Sequence, residues 1–377
     1  MKILHIASFS GNIGDNINHN GFRKNFLEIV QDKIEWKELE MRKFYKSWNL
    51  LKFDDNFVEE TKNYDLIVIG GGNFFDLYHD YSISGTTINI KKEIFEKIKC
   101  PIFFNSLGFD IYNGVNSELV KKFKIFIDYL LDNPEKYYVS FRNDGSKENF
   151  QKIYGYFDER IRIIPDGGFF IDKKNLSKQE KYIGINLAMD MFDKRFKEIS
   201  YDEFCDRLSS VYLKFLKNYQ EYKLLFFPHI ITDYQVVLDV ISRFDDFTKR
   251  TKIEIAPYLI GQGQEREYLK YYSKCRIVSG MRFHSNILAI SLGIPVVPLV
   301  NYPQILNLYK ELNWENKIIK IEDKKFEDIY YTSLVDTLEN KKNLENESKN
   351  RLLELKKFQK EEYLKLKKWL NNNFYKN

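Results

Sequence analysis

Along the chain, short apolar runs rich in β-branched residues alternate with longer polar segments in which apolar positions recur at helical spacing. That alternation predicts repeated βα units built around parallel sheets. Strands are predicted at residues 2–7, 66–69, 102–106, 138–141 and 161–164, and again at 182–186, 223–227, 252–255, 276–279 and 294–299. Helices are predicted at 118–131, 201–218, 233–244, 265–273 and 284–292. Two series of strands imply two sheets of comparable size. They are separated by the charged stretch 172–181, DKKNLSKQEK, which carries no apolar periodicity.

The chain therefore divides near Leu176, with one α/β domain over 1–175 and a second over 176–340. Its 377 residues exceed what a single hydrophobic core usually organises, which agrees with that division. In the last segment, 341–377, Leu352, Leu355, Phe358, Leu366 and Trp369 fall on a helical repeat among Lys and Glu, so one long amphipathic helix is expected. Its Lys-rich face would suit a membrane surface, but Glu354, Glu361 and Glu362 dilute the charge, and packing back onto the body is the expected outcome.

Composition narrows the function classes. The formal charge of +5 comes from 59 basic and 54 acidic residues, a near cancellation that is no nucleic-acid footprint. The aromatic share of 16% sits inside periodic segments, where core packing accounts for it. Cys100, Cys205 and Cys275 lie far apart with no CxxC pair, so neither a structural zinc site nor a disulfide framework is expected. The N-terminus lacks a signal-peptide pattern and no apolar run approaches about 18 residues, so a cytoplasmic protein without a transmembrane segment is expected, with peripheral association at the inner membrane face as the variant that the terminal helix would allow. Nothing in the pattern sets an oligomeric state.

In open parallel sheets ligands gather at the carboxyl ends of strands, so the loops there hold the candidate chemistry. In SGNIGDN, residues 10–16, the glycines let backbone amides approach a ligand and Asn12 and Asp15 offer polar contacts; a plain βα turn with Asp15 as helix cap reads equally well. In GGGN, residues 70–73, Gly71, Gly72 and Asn73 present backbone to an anion or sugar, although the spacing is not that of a dinucleotide fingerprint. In SFRNDGS, residues 140–146, Arg142 could grip a carboxylate or phosphate, or tie its loop to Asp144 or Asp166.

The strongest of these loops is SGMRFH, residues 279–284, which follows a strand and opens the apolar helix SNILAISLG. Arg282 and His284 then stand at a helix N-terminus, where amides and dipole favour anions, and the imidazole can move a proton near neutral pH. A structural histidine at a strand–helix junction is the alternative. His229, in FFPHIITD, ends another strand and could reach the ligand with Asp233. No HExxH, DxD, GxSxG or P-loop pattern occurs, so the expected site recognises an anion and donates a proton without a metal or cofactor.

Taken in order, GNIGD, GGGN, NSLGF, SFRNDGS, PDGGF, FFPH and SGMRFHSNILAISLGIPVV resemble the motif succession of the polysaccharide pyruvyltransferase family over roughly the first 310 residues. The resemblance implies a GT-B-like pair of Rossmann-like domains facing a cleft, and transfer of a pyruvyl group from phosphoenolpyruvate to two hydroxyls of a sugar, giving a cyclic ketal in a surface polysaccharide or its precursor. It implies that Arg282 binds the donor's carboxylate or phosphate, that His284 is an acid or phosphate contact, and that Arg142 and Asp15 line the cleft. The acceptor sugar would be lipid-linked or nucleotide-linked. The competing expectations are a metal-independent GT-B glycosyltransferase using a nucleotide sugar, and a non-catalytic carbohydrate-binding protein that keeps the fold.

Overall fold

In the computed structural model the chain is described at every residue except 31, 175, 177, 178, 262 and 375–377, so parts of the 172–181 stretch and of the 341–377 segment lie outside the described residues. It forms two compact units. One comprises Met1–Ser10, Asn18–Gly167 and Leu355–Asn377; the other comprises Gly11–Ile17 and Gly168–Glu354.

The first unit holds a six-stranded sheet of β1 (Lys2–Ala7), β2 (Glu35–Glu40), β3 (Leu66–Gly70), β4 (Ile102–Leu107), β5 (Tyr137–Phe141) and β6 (Arg162–Ile163), in spatial order β2-β1-β3-β4-β5-β6. Every pairing is parallel. Successive side chains leave a strand on opposite faces. Leu4, Ile6, Ile67, Ile69 and Phe104 therefore join one core cluster, while Ile3, Val68, Phe103 and Tyr138 join another. Tyr363, Leu366, Trp369 and Leu370 of the long C-terminal helix (Lys341–Phe374) belong to the latter cluster. Trp369 Nε1 donates to the Pro134 carbonyl at 2.8 Å, and the buried Glu362 carboxylate accepts from both Nε and Nη2 of Arg162 at 2.8 and 2.9 Å. The buried stripe is thus set by Tyr363, Leu366, Trp369 and Leu370, and Phe358, expected on it, is exposed.

The second unit repeats the construction with β7 (Tyr182–Asn186), β8 (Lys223–Phe226), β9 (Ile253–Ile255), β10 (Cys275–Gly280), β11 (Val296–Val300) and β12 (Ile319–Lys320), ordered β12-β11-β10-β7-β8-β9 and again parallel. Counted from β7 this is the 3-2-1-4-5-6 order of a Rossmann sheet, whereas the first sheet has the 2-1-3-4-5 order of flavodoxin-like folds. Both orders reverse direction at one point. These points lie between β1 and β3 in the first sheet and between β7 and β10 in the second.

The helix Phe283–Leu292 follows β10, and all of its residues are buried. An apolar helix of that kind is stable only inside a core, here against Leu225, Val278 and Ile294. It stops at Gly293, whose φ of +68° is left-handed, and the Gly293 and Ile294 amides return to Ile290 and Ala289 at 2.9 Å each. A Cβ at Gly293 would meet nothing within 4 Å, so Gly293→Ala should cost only the backbone strain, about 1–2 kcal/mol in denaturant unfolding. No loss of stability in that measurement would remove the capping role. Among the described residues no helix is long and apolar enough to cross a membrane.

Candidate active site

The reversal point of the second sheet is held by Asn186, the last residue of β7. Its Nδ2 donates to the Phe227 carbonyl at 2.7 Å, its Oδ1 accepts from the Arg282 amide at 3.0 Å, and its carbonyl accepts from the Met281 amide at 3.1 Å. This fixes the turn from β10 into the Phe283–Leu292 helix, with Arg282 extended (φ −95°, ψ 147°) in the position just before the first helical turn. His284 follows within that first turn.

Arg282 is 8% exposed and is gripped by two carboxylates. Nε and Nη2 pair with the two oxygens of Asp233 at 2.8 and 2.5 Å, and Nη2 also reaches Asp190 at 2.7 Å. Burial disfavours the charge on Arg282, but Asp233 and Asp190 outweigh it and raise the guanidinium pKa further. Asp233 itself is fully buried and also accepts from the His229 and Ile230 amides at 3.0 and 3.3 Å. Asp190 in turn pairs with a second buried guanidinium, Arg195, whose Nη1 donates to Asn301 Oδ1 at 2.8 Å. Burial would raise the Asp190 pKa, but the two arginines hold it below the ordinary carboxylate value. Two arginines, two aspartates and Asn301 therefore cluster at the ends of three adjacent strands, β7, β10 and β11, with the helix that Asp233 opens. Asp190, Arg195 and Asn301 were not singled out in the sequence. The signal available for them was position alone, since Asp190 and Asn301 follow predicted strands.

His284 lies 3.5 Å from Asp15, measured from Nδ1 to Oδ1. Both are largely buried, with Asp15 in the first turn of the helix Ile13–Leu27 and within the Gly11–Ile17 segment of the second unit. Asn12 Oδ1 accepts from the Gly14 amide at 3.0 Å, and Tyr258 Oη donates to the Gly11 carbonyl at 3.0 Å, which shapes the GNIGD turn. Gly14 is required by contact: a Cβ there would stand 2.5 Å from His284 Cβ and 2.8 Å from Nδ1. Gly14→Ala should therefore push the imidazole out of register and lower turnover by about 10²-fold, the usual consequence of misplacing a reacting group by an ångström. Unchanged turnover would mean that the imidazole position is irrelevant.

His229 stands behind the start of the Phe283–Leu292 helix. It is fully buried, its Nε2 bonds to Tyr272 Oη at 2.8 Å, and that hydroxyl goes on to Ser285 Oγ at 3.1 Å. Burial first, then Arg282 and His284, push its pKa well below the ordinary value, so it is a neutral ring behind the helix start.

The remaining candidates gather in the first unit. Gly71 has φ +86°, and a Cβ there would lie 2.7 Å from the His19 ring. Its carbonyl accepts from Asn18 Nδ2 at 3.0 Å and its amide donates to the Asn105 carbonyl. The Gly72 carbonyl accepts from the Phe74 and Gly108 amides. These glycines are permissive because protein packs against them. Asn73 Oδ1 accepts from Arg142 Nη2 at 2.6 Å, and Arg142 also pairs with Asp144 at 2.7 Å and Asp166 at 3.5 Å. Arg142 is thus the tie between loops that was one of its two readings.

The comparisons with known proteins agree with this architecture. No curated protein sequence matches the chain. Among solved structures, the trehalose-phosphate synthase (UDP-forming) from Burkholderia vietnamiensis is similar with a TM-score of 0.55 at 11% identity, over 99% of this chain and 97% of that one. UDP-GlcNAc 2-epimerase from Neisseria meningitidis, bound to UDP-GlcNAc, gives 0.53 at 12% identity over 95% and 100%. Alr3699/HepE from Anabaena, in complex with UDP and glucose, gives 0.53 at 12% over 97% and 99%. Likeness at such identity is one of fold, a pair of Rossmann-like domains of the GT-B kind. The sequence profile described as Polysaccharide pyruvyl transferase matches residues 11–302, which takes in both the GNIGD turn and the RFH helix start, and the chain belongs to that family of transferases.

Proposed function

We propose that the protein transfers the pyruvyl group of phosphoenolpyruvate to two hydroxyls of one sugar, forming a cyclic ketal and releasing phosphate. The observation that carries this reading is the His284–Asp15 pair at a helix start beside Arg282. An imidazole backed by a carboxylate is suited to deliver and recover a proton, because the carboxylate stabilises the imidazolium. In the scheme His284 protonates the donor's methylene carbon, which becomes the methyl group, and C2 acquires cationic character. A sugar hydroxyl adds to C2 and its proton returns to His284. The C2–O bond to phosphate then breaks, and a second hydroxyl closes the ketal, its proton leaving with the phosphate.

Arg282 takes the donor's anionic groups through Nη1, the edge not engaged by Asp233 and Asp190. The positive end of the Phe283–Leu292 helix adds to that attraction. Arg142, Gly71, Gly72, Asn73 and His229 are assigned to holding the scaffold, because protein groups engage Arg142 and Asn73, the carbonyls of Gly71 and Gly72, and Nε2 of His229. Electron pairs for every step come from the two substrates, so the scheme uses no cofactor or metal. The Rossmann order of the second sheet, and the UDP and UDP-GlcNAc ligands named for the Anabaena and Neisseria structures, support a nucleotide-linked acceptor.

The same likeness favours a second reading, a glycosyltransferase using a nucleotide sugar. Incubation with phosphoenolpyruvate and a panel of UDP-sugars separates the two. Phosphate release that needs both substrates, with a pyruvyl group added to the sugar by mass spectrometry, is the expected result. Release of UDP independent of phosphoenolpyruvate would replace the proposal with the second reading.

A further inference from the structure

The segment that begins within the GGGN turn, residues 71–91, has no regular secondary structure over most of its length, yet hydrogen bonds fix it. The Ser82, Ser84 and Thr86 hydroxyls form a chain at 3.1 and 2.9 Å, and Ser84 Oγ donates to the Ile88 carbonyl at 2.7 Å. This ordered loop presents a pair of groups outside the site described above. His79 Nε2 lies 3.3 Å from Asp76 Oδ2, and Thr87 Oγ1 donates to the other Asp76 oxygen at 2.8 Å. The side chains of His79 and Asp76 are 17% and 13% exposed, sheltered but reachable.

Aromatic rings surround the pair. Tyr78, Tyr81 and Tyr45 stand with centroids 5.5, 5.4 and 6.2 Å from the His79 ring, and Tyr78 is 57% exposed. Tyr81 also lines a cavity of about 470 Å³ together with Lys46, Asn89 and Lys91. A carboxylate and an imidazole beside the exposed Tyr78 ring and the half-buried Tyr81 ring match a pyranose, whose hydroxyls ring its edge while its C–H bonds make an apolar face. A loop held only to support itself would have little need to leave a large aromatic side chain in water beside a paired carboxylate and imidazole.

We propose that the 71–91 segment is a carbohydrate subsite, in which Asp76 and His79 take neighbouring hydroxyls of a pyranose and Tyr78 and Tyr81 stack on its C–H face. The assignment of that sugar as the acceptor rests on the pyruvyl-transfer reading; the subsite itself does not. Saturation-transfer NMR on the full chain, without phosphoenolpyruvate, tests it with methyl glycosides of glucose, galactose, mannose and N-acetylglucosamine. At least one glycoside should receive saturation on its ring protons. Tyr78→Ala and His79→Ala should each weaken its Kd roughly tenfold or more, with Asp76→Asn intermediate and all three melting like the wild type. Absence of binding by the wild-type chain, or equal binding by Tyr78→Ala and His79→Ala, overturns the proposal. Failure of phosphate release with intact glycoside binding would instead count against pyruvyl transfer alone.

Discussion

His284→Ala, assayed well below its melting transition, should lower phosphoenolpyruvate-dependent phosphate release by about 10²–10⁴-fold, the range contributed by a positioned general acid. The buried imidazole stands with Nδ1 3.5 Å from Asp15 Oδ1, and the helix it opens is held by apolar residues packed in the core. Asp15→Asn should produce a smaller loss in kcat with little change in KM, because it removes the charge that stabilises the imidazolium and keeps the packing. If the two residues act as one unit, the double variant will be no slower than His284→Ala alone, since the partner of an absent group has nothing left to orient. Losses that multiply in the double variant would separate Asp15 from the proton transfer.

The sequence was informative wherever a chemical need leaves a local trace. Ten of the strands were legible, most of them because buried parallel strands are continuous apolar runs. β2 and β12 were not. The sequence of β2, EWKELE, is an edge strand in which only the last residue is buried, so charge obscures the period, and β12 spans only Ile319–Lys320. Both lie at sheet edges, where one side is unpaired and packing demands least. The RFH motif was readable because a strand, a turn and an apolar helix follow one another without interruption.

What was hidden is association across long separations. Asp190 and Asp233 reach Arg282 from 92 and 49 residues away, and no local pattern marks an aspartate as a guanidinium partner. The inclusion of Gly11–Ile17 in the second unit, although it follows β1, was equally invisible. The glycines of GGGN are instructive in another way. A residue without a Cβ announces close approach, but not whether the approaching atom belongs to a ligand or, as at Gly71, to His19. In the terminal helix Leu366 and Trp369 are buried as expected and Phe358 is not. Glu362 is buried because Arg162 meets it bidentately, and a charge with such a partner counts as an inward position.

The environment of Arg282 carries the largest expected effect on stability, and it alters how activity data from that residue should be interpreted. Asp233→Ala strips a fully buried guanidinium contact of its bidentate partner and leaves the His229 and Ile230 amides without their acceptor. Breaking one side of such a pair costs about 3–5 kcal/mol, because the remaining charge stays buried and only partly compensated by Asp190. Chemical denaturation should show that loss as a lower midpoint with an unchanged slope. Arg282→Met alone should also destabilise, as it leaves the buried Asp233 carboxylate with backbone donors only. The double variant, Asp233→Ala with Arg282→Met, should be less destabilised than the sum of the two, because it removes both charges from the interior. Strict additivity would show that the pair does not act as a unit in the fold. With coupling established, any activity lost by Arg282→Ala has two origins, donor binding through Nη1 and collapse of the helix start. A raised KM for phosphoenolpyruvate at temperatures well below the melting transition isolates the first.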